Sequence, residues 1–213
     1  TSINLHSESI KIIKMKKLLL ASAIALFGLS NAQIAKGTTY LSGTLNFAAS
    51  EDNNTNIKTS DLTLVPTVGY FVGTNLAVGV GVGYASSVKK NEGATPETKS
   101  TISAVVVEPF VRKYWTLGEK FYFFGQLSVP MAFGTDKAEV SGFGSTKENF
   151  SSFGVSIKPG LDYFLNKNWT LEATIGDFGY SNFKYKNAKS VDNYNFGLDL
   201  ASVGIGVKYV FAK

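Results

Sequence analysis

Residues 76–84 decide the fold, and they read Leu76-Ala77-Val78-Gly79-Val80-Gly81-Val82-Gly83-Tyr84. Large apolar side chains occupy every even position of this stretch, and alanine or glycine occupies every odd position. A period of two is typical of a β-strand, because successive side chains of a strand point to opposite faces. One face of this strand is therefore broad and apolar, and the other is lined by small residues.

The same period recurs along most of the chain. Large apolar residues alternate with small or polar ones in every such segment, whereas no helical period of 3.6 is sustained. The pattern predicts about eight strands in an all-β chain. The further segments lie at about 41–47, 62–70, 105–112, 121–133, 153–163, 169–175 and 198–211.

The last segment contains a slip in its alternation. Leu198 and Leu200 are apolar at even positions, whereas the residues from Val203 onward are apolar at odd positions. A one-residue β-bulge near Ala201–Ser202 would restore a common face. We predict a bulge there.

The connections between the strands fall into two classes. Short turns at one end and long polar loops at the other are typical of outer-membrane barrels, in which the short turns face the periplasm. The short connections are 72–75, 116–120 and 166–168, and the long polar ones are about 50–60, 86–100, 134–148 and 181–194.

A repeat of one proline and an aromatic pair precedes the short turns. The prolines are Pro66, Pro109 and Pro159, at spacings of 43 and 50 residues, which suggests one hairpin per repeat. Proline inside a strand argues for a bulge at each of these points. We also expect the aromatic residues near strand ends to form interfacial girdles. They are Tyr70, Phe71, Tyr84, Tyr114, Trp115, Phe121, Tyr163, Phe164, Trp169, Tyr209 and Phe211.

An export signal is predicted at residues 15–32. Met15-Lys16-Lys17 is followed by an apolar run from Leu18 to Leu29, and Ser30-Asn31-Ala32 ends in a small residue. This run of twelve residues is shorter than the ~20 that a membrane-spanning helix needs. We therefore expect an upstream extension at 1–14, with Met15 as the true start, a cleaved signal peptide at 15–32, and a barrel domain at 33–213.

The composition argues against several functions. There is no cysteine, and the one histidine, His6, lies before the expected cleavage site. We therefore expect no cofactor, no metal site and no enzymatic activity based on these residues.

Removal of residues 1–32 leaves 17 basic and 15 acidic residues, a net charge of +2 instead of +5. Nucleic-acid binding is not expected, because it requires a basic patch on the folded domain.

The remaining membrane role must come from strands. In hydrocarbon every backbone polar group has to be paired within the protein, so strands cross only as a closed barrel. The interior of a barrel of about eight strands is just filled by side chains. Buried charges need partners, so we predict a paired interior network, and the alternative is an ion-selective path lined by the same charges. The predicted inward charges are Glu108, Arg112, Lys158, Asp162, Glu172 and Lys208.

Three features of the chain resemble small outer-membrane β-barrel proteins of the OmpA/OmpX-like porin-fold group. They are the signal at 15–32, the hairpin from Pro66 to Gly79, and the terminal strand with Gly206, Tyr209 and Phe211. The resemblance implies a closed antiparallel up-and-down transmembrane β-barrel in the bacterial outer membrane. It also implies that the terminal strand is an assembly signal read by the insertion machinery. Phe211 is followed by Ala212-Lys213, whereas the family's strand ends the chain.

The resemblance implies a non-enzymatic protein with a structural or surface-interaction role. Its implied partners are outer-membrane lipid and lipopolysaccharide, with no nucleic acid, and the protein is expected to be monomeric. Two alternatives remain at this point. One is a small porin-like channel for ions or small solutes, and the other is a soluble lipocalin-like binder, which would place apolar residues inside and polar residues outside.

Overall fold

A computed structural model describes residues 34–198 and 204–211, and every helix or strand assigned in these ranges is a β-strand. Within them, no helix is long and apolar enough to span a membrane. The strands are β1 (Thr39–Asp52), β2 (Ile57–Gly73), β3 (Leu76–Asn91), β4 (Thr98–Thr116), β5 (Phe121–Ser128), β6 (Met131–Val140), β7 (Gly144–Phe164), β8 (Trp169–Thr174), β9 (Gly176–Tyr185), β10 (Val191–Leu198) and β11 (Gly204–Phe211).

The eleven segments form one closed barrel of eight antiparallel strands. β5 and β6 both pair with β4 in one register, so together they make the fifth barrel strand. β8 with β9 makes the seventh barrel strand, because both pair with β7, and β10 with β11 makes the eighth. β11 pairs with β8 on one side and with β1 on the other, which closes the ring. The predicted all-β up-and-down barrel is therefore confirmed.

Closure by main-chain pairing is concentrated at the short-turn end. The ladder between β1 and β11 covers Thr39–Gly43 of β1. Beyond it, within the described residues, the rest of β1 pairs with β2 alone and β10 pairs with β9 alone. The bulge predicted near Ala201–Ser202 lies outside the described residues.

The predicted bulges at the prolines are wrong at two of the three positions. The register of β2 with β3 is the same on both sides of Pro66, and the register of β4 with its neighbours is constant through Pro109. A proline loses only its N–H, and its carbonyl still accepts a bond, so the ladder can skip one bond without an inserted residue. Opposite Pro159 the register of β7 does shift by one, and the extra residue is Ile175, in the partner strand.

The long polar stretches are mostly strand and not loop. The turns that join the strands at that end cover only residues 53–56, 92–97, 141–143 and 186–190. Alternation of apolar residues fades there because both faces of the hairpins meet water, yet the backbones still pair. The barrel therefore ends in four extended hairpins.

The aromatic pairs at the short-turn end divide between two environments. Tyr70 and Trp115 are exposed on the outer surface, whereas Phe71 and Tyr114 are fully buried inside, and Phe164 packs against them. Neighbouring residues of a strand point to opposite faces, so a pair cannot serve one girdle. The assignment of Phe71, Tyr114 and Phe164 to the girdle is therefore wrong.

These inward aromatic residues form the core, which closes the short-turn end of the barrel. Ile34 packs beneath it, held by two hydrogen bonds: its N–H donates to Asn75 Oδ1 at 2.8 Å, and the Asn75 N–H donates to its carbonyl at 3.2 Å. We call this cluster the aromatic floor. Its members are Ile34, Tyr40, Phe71, Ala77, Phe110, Tyr114, Tyr122, Phe124 and Val210, with Phe164 against it.

The inward glycines of β3 make the barrel narrow enough for this packing. A Cβ at Gly83 would overlap the Leu64 carbonyl oxygen and lie 2.6 Å from Val65 Cα, whereas a Cβ at Gly206 would meet nothing closer than 3.9 Å.

We predict that Gly83→Ala lowers the free energy of unfolding by about 1–3 kcal/mol, the usual cost of overpacking. Gly206→Ala, also inward-facing, is the control. Urea unfolding in lipid vesicles measures both, and equal losses would contradict the packing argument.

Candidate functional site in the barrel interior

Arg112, on β4, is the centre of the interior polar groups. Its Nε donates to Gln126 Oε1 at 2.8 Å, and its Nη1 donates to Glu172. The guanidinium carbon lies 4.2 Å from the centre of the Phe124 ring. Arginine suits this position because its planar group can donate in several directions while stacking on an aromatic face.

Glu172, on β8, connects Arg112 to a second cation. Its Oε1 also accepts a hydrogen bond from Lys208 Nζ at 3.0 Å, and Lys208 in turn donates to Asp162. The Tyr114 hydroxyl accepts from Arg112 at 3.2 Å and from Lys208 at 3.1 Å. Four ionised groups on four barrel strands are thus joined in one chain, which we call the buried ion network.

Lys208 is the most enclosed charge of this network. Its side chain and that of Asp162 have no exposed area. The Nζ lies 5.1 Å from the Tyr40 ring centre, 5.0 Å from that of Tyr114 and 5.9 Å from that of Phe164. Aromatic faces attract a cation at such distances, most strongly where water is excluded. The lysine is therefore held by carboxylates on one side and by the aromatic floor on the other.

The other two predicted inward charges form a separate pair. Lys158 Nζ lies 2.7 Å from Glu108 Oε1. Their side chains are 26% and 18% exposed, so this pair is wetter than the buried ion network. The structure thus gathers all six predicted residues inside the barrel, four in the network and two in this pair.

A cavity of about 440 Å³ lies on the long-hairpin side of the network. Arg112, Glu172, Glu108 and Lys158 all line it. Lys208 and Asp162 do not, because they are buried below its floor. The interior is therefore a cup, open away from the short turns and closed by the ion network and the aromatic floor.

Asp177 is a cavity residue that the sequence reasoning missed. Simple alternation from Trp169 places it on the outer face, but the extra residue at Ile175 turns it inward, where it accepts a hydrogen bond from Ser156. The signal was present, since large apolar residues change from odd positions before Ile175 to even positions after it, at Phe178 and Tyr180. No ion pair among the described residues includes Asp177, so the inward set gains an unmatched negative charge.

The described side chains of this interior form ion pairs and hydrogen bonds with one another. No group of three or more histidine, cysteine, aspartate or glutamate side chains in the described ranges could hold a metal ion. The ionised side chains already contact one another, so each acid is engaged by a base or a hydroxyl. The inward charges are thus matched mainly with one another, as a closed interior requires.

A sequence profile of the outer membrane protein beta-barrel domain family matches residues 18–211. The chain belongs to this family. It is accordingly a β-barrel protein of the bacterial outer membrane, and its apolar outer surface is the surface that contacts lipid. No curated protein sequence matches the chain.

Solved structures similar to this family member include three outer-membrane proteins. The N-terminal β-barrel domain of OprF from Pseudomonas aeruginosa is 11% identical, with a TM-score of 0.40, over 84% of this chain and 100% of that one. Ail, the attachment invasion locus protein of Yersinia pestis, is 18% identical, with a TM-score of 0.40, over 83% and 99%. OprG from P. aeruginosa is 15% identical, with a TM-score of 0.45, over 84% and 98%.

The three residues of the predicted assembly signal lie on β11. Tyr209 and Phe211 lie on the outer face with their ring centres 4.9 Å apart, and Tyr209 also contacts Trp169 at 4.9 Å. Gly206 faces inward, opposite Glu172, and lines the cavity. The two aromatic residues therefore belong to the outer girdle at the short-turn end, and their reading by the insertion machinery stays a prediction.

The burial of Lys208 and Asp162 predicts a strong asymmetry between single and double substitutions. Lys208→Met leaves Asp162 as an unpaired buried charge, so we expect a loss of about 3–5 kcal/mol in the free energy of unfolding. Lys208→Met combined with Asp162→Leu should recover most of this loss, because Glu172 keeps Arg112.

Lys158→Met is the matched control, since the more exposed Glu108 that it leaves behind can be solvated. Urea unfolding in vesicles, followed by the heat-dependent shift in gel migration, measures all three variants. A double variant no more stable than Lys208→Met would contradict the pairing argument.

Proposed function

We propose that this protein is a non-enzymatic outer-membrane barrel that stabilises the envelope and presents rigid hairpins to the exterior. The observation that carries the proposal is the closed interior, in which the buried ion network lies on the aromatic floor. Such an interior offers no continuous water path, so the barrel acts through its lipid-facing surface and its hairpins and not through its lumen.

The orientation follows the habit of the family. The short turns face the periplasm and the four extended hairpins face outward. Export through a signal peptide cleaved after Ala32 would place Ile34 near the start of the mature chain. Ile34 lies under the aromatic floor, where a short free N-terminal segment fits without crossing the membrane.

The hairpins support a role in surface interaction. They are paired strands and not loose loops, so they hold their tips at fixed positions beyond the apolar belt. Binding residues are commonly carried by connecting segments that a rigid scaffold positions. At one tip, Phe143 is 82% exposed, which gives that hairpin an apolar contact point.

A narrow ion path is the second candidate, and the cavity with its unmatched Asp177 favours it. Inward charges determine the selectivity of barrels, so such a path would prefer cations. Conduction would require the aromatic floor and the buried ion network to open together.

The closed interior predicts that the barrel is electrically silent until the aromatic floor is disrupted. We expect no stable conductance from the refolded protein in planar bilayers. Phe124→Ala, which removes a buried ring against Arg112, should raise the frequency of openings at least tenfold.

Phe123→Ala is the matched control, because the neighbouring ring lies on the opposite, lipid-facing side of β5. Stable, ion-selective conductance of the unaltered protein, lost on Glu108→Ala or Arg112→Ala, would contradict the proposal and favour the channel.

The hairpins predict a phenotype that does not depend on the lumen. Shortening the β6–β7 hairpin by residues 136–148 should leave assembly unchanged, because the ladder between these strands continues from Met131 to Gly134 and Thr135-Asn149 forms a two-residue turn. Attachment of whole cells to protein-coated surfaces should fall several-fold. If shortening each of the four hairpins in turn altered neither attachment, envelope integrity nor permeability, the proposed surface role would be wrong.

A further inference from the structure

The alternation of the strands separates charges by face beyond the apolar belt. On the outer face, in line with the exposed Val82, Tyr84 and Phe133, the strands carry mainly lysines, whereas the inner face carries mainly carboxylates. The outer lysines are Lys58, Lys90, Lys99, Lys137, Lys147 and Lys184, beside the outer carboxylates Glu51, Glu139 and Asp192. The inner carboxylates are Asp52, Asp61, Asp136 and Glu148, beside one inner lysine, Lys89.

Three of the outer lysines stand side by side across three strands. Lys58 of β2 is directly opposite Lys90 of β3, and Lys90 is directly opposite Lys99 of β4. We call these residues the lysine row. Directly opposed side chains have Cβ atoms only ~5 Å apart, and like charges in that position destabilise a sheet. An anion between them would offset the repulsion.

Carboxylates of the protein form ion pairs with the two ends of the row but not with its centre. Lys58 lies 2.9 Å from Glu92 and 3.3 Å from Glu51. Lys99 lies 3.7 Å from Glu139, a carboxylate that contacts Lys137 more closely, at 2.8 Å. Lys90, in the middle, is in no ion pair among residues 34–198 and 204–211, and Glu92 attracts it only from a longer distance. The centre of the row is thus the position left for an external anion.

A groove of about 370 Å³ opens at this position on the outer surface. Lys58 and Lys90 line it together with Ala49 and Val88, and the one carboxylate in the lining, Glu51, is paired with Lys58. Below it, on the same face of β3, the apolar belt continues through Tyr84 and Val82. A ligand seated there would meet ammonium groups at one end and an apolar surface at the other.

We propose that the lysine row binds the phosphate group of a phosphorylated glycolipid of the outer leaflet, of the lipopolysaccharide type. The phosphate lies against Lys90 between Lys58 and Lys99, and the acyl chains lie on the apolar belt of β3. Lysine fits this task, because its compact ammonium group binds phosphate as a point charge. The placement rests on the proposed outward orientation of the hairpins.

Lys90→Gln tests the site, and Lys89→Gln is its control. Lys89 is the next residue on the same strand but faces the lumen, so the two substitutions remove the same charge from opposite faces. The membrane-extracted full-length protein is titrated with diphosphorylated lipid A and with the same lipid stripped of its phosphates, and bound lipid is counted by native mass spectrometry.

We expect Lys90→Gln to weaken binding of the phosphorylated lipid about fivefold, because one basic residue increases the affinity for an anionic membrane surface by about that factor. Combined substitution of Lys58, Lys90 and Lys99 by glutamine should reduce binding to that of the dephosphorylated lipid. Lys89→Gln should leave it unchanged. In the absence of lipid, Lys90→Gln should not destabilise the barrel, because it relieves repulsion within the row.

Three results would overturn the proposal. They are equal binding of the two lipids, equal effects of Lys89→Gln and Lys90→Gln, and full binding by the triple variant. These three results do not depend on the state of the lumen. A barrel that conducts ions but still requires Lys90 to bind the lipid would refute the closed interior and leave the lipid site intact.

Discussion

The requirement that every backbone polar group be paired inside the membrane governs the rest of this structure. It forces the strands into a ring, closed where β11 pairs with both β1 and β8. A ring of eight strands is too narrow for an open lumen. Inward side chains from opposite walls therefore touch, and each strand must place small residues wherever a neighbour projects a large one. Gly79 of β3 lies against Phe110, and Gly81 and Gly83 lie against Val65, so these glycines meet that condition.

The narrow interior also determines how charges are treated. Arg112, Glu172, Lys208 and Asp162 come from four different barrel strands, yet they form one chain of contacts. A charge withdrawn from water is tolerated only with partners and hydrogen bonds, so removing one member harms the others. The aromatic floor excludes water on one side of Lys208, which strengthens its contacts with the carboxylates. Packing and electrostatics thus close the same end of the barrel.

Most of the architecture could be predicted because strand alternation is a local property of the sequence. It indicated eight strands and gave Glu172 and Lys208 an inward direction, where the structure has them. The alternation changes between odd and even positions at Ile175, but only pairing with β7 shows that Ile175 is the extra residue, so the pattern alone does not place Asp177 inside. The girdle prediction for Phe71 is wrong for another reason: an aromatic ring near a strand end suits both the membrane interface and a packed interior. The sequence pattern predicts loops where the structure has polar hairpins, since water on both faces removes the apolar alternation while the ladder remains.

The two faces of the hairpin half suggest why the sequence keeps opposite charges so close to each other. In the orientation proposed above, a strand residue that faces the lumen points toward the cavity, whereas its neighbour points outward, toward the hydrated layer of lipid headgroups. Carboxylates such as Asp136 are solvated or accept hydrogen bonds inside, as Asp136 does from Tyr185 and Ser100. Lysines on the outer face repel one another across the ladder unless anions lie among them. With that orientation, exchanging the two sets would place carboxylates against headgroup phosphates, so the alternation that defines the barrel would also determine which face can meet an anionic leaflet.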